Sequence, residues 1–268
     1  MSGGAETYTH GHHESVLRSH RWRTAGNSAA YLLPHLRAGQ DVLDVGCGPG
    51  TITIDLARIV APGRVVGVDR AEAPLATARA DAATAGVAID FDVGDAYALA
   101  FPDDSFDVVH AHQLLQHLAR PVAALAEMRR VCRRDGIVAA RDSDYAAMTW
   151  FPGDPLLDRW LSIYREVARA NGGEPDAGRR LLAWGRAAGF AEVVPSASVW
   201  CFATAADRAW WGGLWADRVT ASAFAEGAIE RGVSDAAELG RIADAWRAWA
   251  AEPDGWFSVL HGEIVCRG

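Results

Sequence analysis

The segment that most restricts this chain is residues 42–51, VLDVGCGPGT. Its first four residues read as a short buried strand, glycines follow at Gly46, Gly48 and Gly50, and TITIDLARIV continues as a helix. Glycines where a strand turns into a helix allow a sharp bend and bring the backbone close to whatever binds there. Such a βα unit buries its apolar face only if further layers cover it.

The rest of the first half supplies those layers. RVVGVD reads as a second strand, EAPLATARADAATAG as a helix, VAIDFDVGD as a third strand and FDVVHA as a fourth. RPVAALAEMRRVCR puts Val122, Leu125, Met128 and Cys132 on one helical face before DGIVAARD returns as a fifth strand. Upstream, RWRTAGNSAAYLLPHL carries Ala29, Leu32, Leu33 and Leu36 at helical spacing, predicting a helix that ends near Gly39.

After Asp142 the alternation breaks. Leu157, Leu161, Tyr164 and Ala168 predict an inserted helix, RRLLAWGRAAGF and AEVVPSASVWCF resume helix then strand, and 204–252 form a second helical insertion. The apolar stripe there is Leu239, Ile242, Trp246 and Trp249, and FSVLHGEIVCRG reads as a last strand. Alternating strands and helices predict a mostly parallel seven-stranded α/β sheet with helices on both faces. We expect one domain over 1–268: an N-terminal lid at 1–40, a ligand-binding core at 41–142, and cap insertions at 143–175 and 204–252.

With half the residues hydrophobic and 22% charged, the chain can bury a sizeable core. Its net charge of −8 and lack of any lysine or basic run argue against a nucleic-acid partner, whose grip needs clustered cations. Cys47, Cys132, Cys201 and Cys266 show no metal-ligand spacing, so no metal site is expected. Neither a signal pattern nor an apolar run of about 18 residues occurs, which predicts a cytoplasmic protein with no membrane partner. A homodimer is compatible with these features.

The glycine spacing G-x-G-x-G departs from the dinucleotide fingerprint, whose third glycine would stand at Thr51. Three acids occupy strand ends instead: Asp44, Asp69 in GVD and Asp95 in VGDA. These, with FDVVHAHQLLQHL and RRVCRRDG, resemble the class I S-adenosylmethionine-dependent methyltransferases, in particular the UbiE-like (methyltransferase-11) branch, over residues 40–142. The family's usual GG after the fourth helix is here Asp135-Gly136.

The resemblance implies a Rossmann-like fold and S-adenosyl-L-methionine as cofactor. It implies that Gly46, Cys47 and Gly48 line the methionine part, Asp69 the ribose, and Asp95 with Ala96 the adenine, with Arg70 and Gly94 also among the cofactor-binding residues. Ala111 would face the amino-acid end, where Asp44 suits a cationic ligand and Arg23 could hold a carboxylate. Tyr8 resembles an N-terminal tyrosine that covers the cofactor.

For catalysis the candidates are His117, Asp142, Tyr8 and His13, with His10, His12, His110 and His112 nearby, because an oxygen or carbon acceptor must lose a proton. Tryptophans in or near the insertions, Trp150, Trp160, Trp210, Trp211 and Trp215, would roof the pocket over a flat acceptor. Arg23 and Arg141 could pair with an acidic one. The expected activity is methylation of a small aromatic or natural-product-like acceptor at C, N or O, in secondary metabolism. The alternatives are a non-catalytic binder of the same cofactor and an NAD-dependent oxidoreductase.

Overall fold

The structure, a computed structural model, describes Thr9 and residues 14–268. Tyr8, His10, His12 and His13 lie outside the described residues. Two short helices open the chain, α1 (Glu14–Arg21) and α2 (Ala25–Ser28). Five strands and three helices follow: β1 (Val42–Val45), α3 (Thr51–Val60), β2 (Val65–Asp69), α4 (Glu72–Ala85), β3 (Asp90–Val93), β4 (Phe106–His112), α5 (Pro121–Val131) and β5 (Cys132–Ser143). Then come β6 (Thr149–Phe151), α6 (Pro155–Ala170), α7 (Leu181–Ala187), β7 (Glu192–Phe202), the helices α8 (Ala205–Ala221), α9 (Ala223–Glu230) and α10 (Ala236–Ala251), and β8 (Trp256–Arg267).

All the strands form one sheet in the order β3-β2-β1-β4-β5-β8-β6, with β7 on the other side of β8. Strands β1 to β5 run parallel, and β8 inserts antiparallel between β5 and β7. The seven expected strands are present, and β6 is an eighth. It escapes a sequence reading because three residues carry no period, and it pairs only with the start of β8, Thr149 with Ser258 through Phe151 with Trp256.

Residues alternate across the sheet, so its two faces have different cores. Leu43, Val45, Val109, Ala111, Val138 and Ala140 face α5 and α7, whereas Val42, Val108, Ala139 and Val265 face α3 and the segment after α2. The two insertions build a third core with the ends of β7 and β8, where Trp160, Trp215 and Trp246 are fully buried. Leu239, Ile242, Trp246 and Trp249 all point into it, as their spacing predicts. No helix among the described residues is long and apolar enough to cross a membrane.

One expected helix is corrected. Residues 21–36 do not run as a single helix, because Thr24 caps a new one through a reciprocal bond pair with Asn27 and α2 ends after one turn. Pro34 lacks the N–H that a continuous helix would use, and only a short 3-10 turn, Leu33–His35, follows. The apolar side chains read as one stripe still meet: Ala29 and Leu32 are buried against α3 and the sheet.

Candidate active site

A cavity of about 490 Å³ opens at the carboxyl ends of β1, β2 and β4. That volume lies inside the roughly 300–1,000 Å³ range of small-molecule sites. Its lower wall is the glycine loop. Gly46, Gly48 and Gly50 have φ of +74°, +54° and +75°, a region that side chains with a Cβ rarely adopt. A Cβ on Gly50 would lie 2.8 Å from that of Ala78, while one on Gly48 would find nothing nearer than the His20 ring at 3.7 Å. Gly48 is therefore where backbone and ligand can come closest.

The loop's own N–H groups are committed to the protein. Gly46 and Cys47 donate to the Val68 carbonyl (2.7 and 3.1 Å), Gly48 to Asp69 Oδ2 (3.0 Å) and Gly50 to the Cys47 carbonyl (3.0 Å). Pro49 has none to give. A pyrophosphate needs such donors free, so this turn is not a phosphate cradle. Asp69, at the end of β2, also accepts from Ala71 N (3.0 Å), which aims its carboxylate along the cavity rim with lone pairs left for hydroxyl groups.

Of the sequence candidates, Arg23, Asp44, Gly46, Cys47, Gly48, Asp69, Arg70, Gly94 and His117 line this cavity. Asp44 differs from its expected part. It is buried and shares its two oxygens with Thr53 Oγ1 (2.5 Å) and His110 Nδ1 (2.8 Å), so it locks β1 to α3 and β4 as well as bordering the site. Asp95 and Ala96 are not on the wall. Asp95 is exposed and accepts from Tyr97 N (2.9 Å), forming a turn beyond β3, and Ala96 packs against the core under α5.

Ala111 also misses the cavity, by strand alternation: it faces α5, and its neighbours His112 and Gln113 reach the site instead. Asp142 is corrected for the same reason. It lies on the α5 face of β5, completely buried, where Oδ1 accepts the Gln116 N–H (3.0 Å) and fixes the turn carrying His117. Burial pushes its carboxyl up to about 7. It supports the wall and does not line the cavity.

His117 reaches the cavity, with Nε2 3.0 Å from the Gln116 side-chain amide. Desolvation, helped by the Arg23 charge, lowers its ring to about 3. A ring so weakly basic is a neutral polar wall near pH 7, unlike a base tuned to that pH.

The upper half of the cavity is aromatic: Tyr145, Trp200, Trp211, Trp215, with Met148 and Val259. Trp211 and Trp215 come from α8, as the insertion reading expected, whereas Trp150, Trp160 and Trp210 pack in the cap and away from the opening. The N-terminal segment closes one side. Ser19, His20 and Arg23 line the cavity, Arg18 meets Asp217 of α8 at 2.7 Å, and Thr51 Oγ1 donates to the His20 carbonyl (3.2 Å).

Sequence reasoning named His112 only among the nearby histidines and missed other wall residues, among them Trp200 on β7 outside either insertion, Arg218 on α8, and Gln113 beside His112 at the end of β4. Only the β4 pair carried a signal, since strand ends in such sheets border the crevice.

Residues 36–186, more than half of the chain, match a family of methyltransferase domains. An uncharacterized methyltransferase of Schizosaccharomyces pombe is 34% identical over 96% of this chain and 95% of its own length. The protein named “Probable methyltransferase ltbC” of Aspergillus luteorubrus is 30% identical over 98% of both chains. The crystal structure of the YcgJ protein from a Bacillus species covers 88% of this chain and 96% of its own with a TM-score of 0.56 at 21% identity, which speaks for the fold. A glycine loop free of phosphate donors, a strand-end carboxylate beside it and these likenesses agree: the chain belongs to the class I methyltransferases that use S-adenosyl-L-methionine.

Proposed function

We propose that the protein methylates a small aromatic acceptor of the natural-product kind. The observation that carries this is the continuity of one cavity whose lower half is the glycine loop with Asp69 and whose upper half is walled by Trp200, Trp211, Trp215 and Tyr145. The lower half takes the cofactor: Asp69 accepts from ribose hydroxyls, Gly46 to Gly48 lie against the methionine part, and Gly94 borders the adenine. The cofactor supplies an electrophilic methyl group. The protein's part is to align an acceptor with it and keep water out, which the flat apolar rings do well.

No side chain on the wall is needed as a strong base in this reading. His117 closes the cavity as a neutral hydrogen-bonding group, and Asp142 holds its turn. The segment 1–40 serves as a lid, with Arg23 spanning from the lid to Gln113 (2.6 Å).

The test is methyl transfer from labelled S-adenosyl-L-methionine to a panel of phenols, indoles, quinones and aromatic amines, with the methyl located by mass spectrometry. Turnover of aromatic members above aliphatic ones is expected. Cofactor binding without transfer to any of them would replace this reading with a non-catalytic binder.

A further inference from the structure

One face of the sheet carries a polar row where an apolar core would be expected. On β4 it is His110 and His112, on β5 Arg141 directly beside His112, on β8 Glu263 and His261, and on β7 Ser196, Ser198 and Trp200. Most of its members have at least one partner within the protein, although His110 Nε2 and the two terminal nitrogens of Arg141 have none among the described residues. Asp44 holds His110, Glu263 holds Arg141 Nε (3.2 Å), and Ser196 and Ser198 donate to Glu263 (2.7 and 2.5 Å). His261 donates from Nδ1 to the Val259 carbonyl (3.1 Å), which leaves Nε2 to accept from the Gln113 amide (2.8 Å).

His112 is the exception that faces the cavity. The residue is 6% exposed, it lines the site, and neither ring nitrogen has a hydrogen-bond partner among the described residues. A buried imidazole left in this state costs stability unless a ligand completes it. Its ring lies 5.9 Å from Trp200 and 6.3 Å from His261, centroid to centroid, which fixes its plane.

Among the described residues, the charges that act on its ring are positive. Arg23 and Arg218 line the same cavity, and Arg141 stands 4.9 Å from the Trp200 ring with two of its guanidinium nitrogens unpartnered. Against these stand Glu263, engaged by Arg141 and two serines, Asp44, engaged by Thr53 and His110, and Asp69 in the same cavity, engaged by the Gly48 and Ala71 N–H groups. Desolvation, then Arg23 and Arg141, and more weakly His261 and His110, hold His112 neutral.

We propose that His112 anchors the acceptor, and that the acceptor is an acidic phenol or enol bound as its anion at this arginine-rich, tryptophan-walled end of the cavity. The inference rests on the methyltransferase reading and names its substrate class. The neutral ring donates its N–H to the anionic oxygen, and the tryptophans hold the flat skeleton. The acceptor enters already ionised, its proton left in solvent, so no side-chain base is required. The acceptor oxygen forms the new O–C bond as the S–C bond breaks, the bond pair stays with sulfur, and the opposite charges cancel.

The experiment uses the full chain saturated with S-adenosylhomocysteine and 4-nitrophenol as probe, whose visible band reports its ionisation. Bound 4-nitrophenol should ionise about one pH unit or more below its value in water, because fixed cations favour the charged form. His112→Phe should weaken anion binding about tenfold, His112→Asn, which keeps an N–H, should recover part of it, and S-adenosylhomocysteine affinity should stay within about threefold. A probe whose ionisation is unmoved or raised, no saturable probe binding, or a His112→Phe protein indistinguishable from wild type would overturn the proposal. Failure of S-adenosylhomocysteine itself to bind would instead overturn the reading on which it rests.

Discussion

Removing the Asp69 carboxylate tests the cofactor half of the cavity most directly. Asp69 sits at the end of β2, partly buried, and already accepts two backbone N–H groups, from Gly48 and Ala71 at 3.0 Å each. In Asp69→Ala, two further bonds to ribose hydroxyls are lost. Hydrogen bonds to a charged acceptor contribute about 1.5–3 kcal/mol each, and the lower end applies at a rim that water reaches. Two of them amount to about 3 kcal/mol, on the order of 100-fold in Kd.

The fold should lose less. The freed N–H groups of Gly48 and Ala71 turn to water at the rim, so the cost in stability is about 1 kcal/mol. Asp69→Asn keeps an acceptor but not the charge and should fall between, at about tenfold in Kd. Isothermal titration with S-adenosylhomocysteine measures the affinities and urea unfolding the stability. An Asp69→Ala protein that remains folded and binds within about threefold of wild type would refute the placing of the ribose at Asp69.

Gly48→Ala and Gly50→Ala should separate binding from folding. Both impose a left-handed conformation worth about 1–2 kcal/mol on alanine. Gly50→Ala adds a clash with Ala78 and Phe91, so it should unfold in markedly less urea, whereas Gly48→Ala should mainly weaken cofactor binding. His117→Gln should retain kcat within about tenfold and leave the acid limb of the pH profile unmoved, since a loss of about 100-fold or more would mark a general base. For Asp142, burial raises the folded value to about 7, above the unfolded value, so the folded state keeps its proton longer. Its contribution to stability is full at low pH and is lost as pH rises from about 4 to about 7, then stays level. Asp142→Asn has no such loss, so denaturation at pH 5 and 8 should show the variant gaining on wild type at the higher pH. A difference that does not change with pH would count against the burial argument.

Much of this protein was legible in its sequence because local rules and the tertiary fold agree. The period of apolar residues in β1 through α5 pointed to a parallel sheet, since the central strands β1, β2 and β4 bury both faces and each helix one. Gly46 and Gly48, with Asp69 closing β2, marked the lower wall of the cavity, where we propose the cofactor binds, because backbone conformation and strand-end position are local properties.

Tertiary structure decided the rest. Which side of β4 and β5 each residue faces separates Ala111 and Asp142 from His112 and Arg141, and the end of β5, Arg141-Asp142-Ser143, is polar throughout and gives no alternation from which to read it. The environment that makes His117 a poor base comes from burial and from Arg23, distant in sequence. Trp200 and Arg218 reach the cavity only because β7 and α8 fold over it. The sequence therefore named much of the lower wall of the cavity, which lies in short contiguous turns, and left the aromatic upper wall to the packing of distant elements.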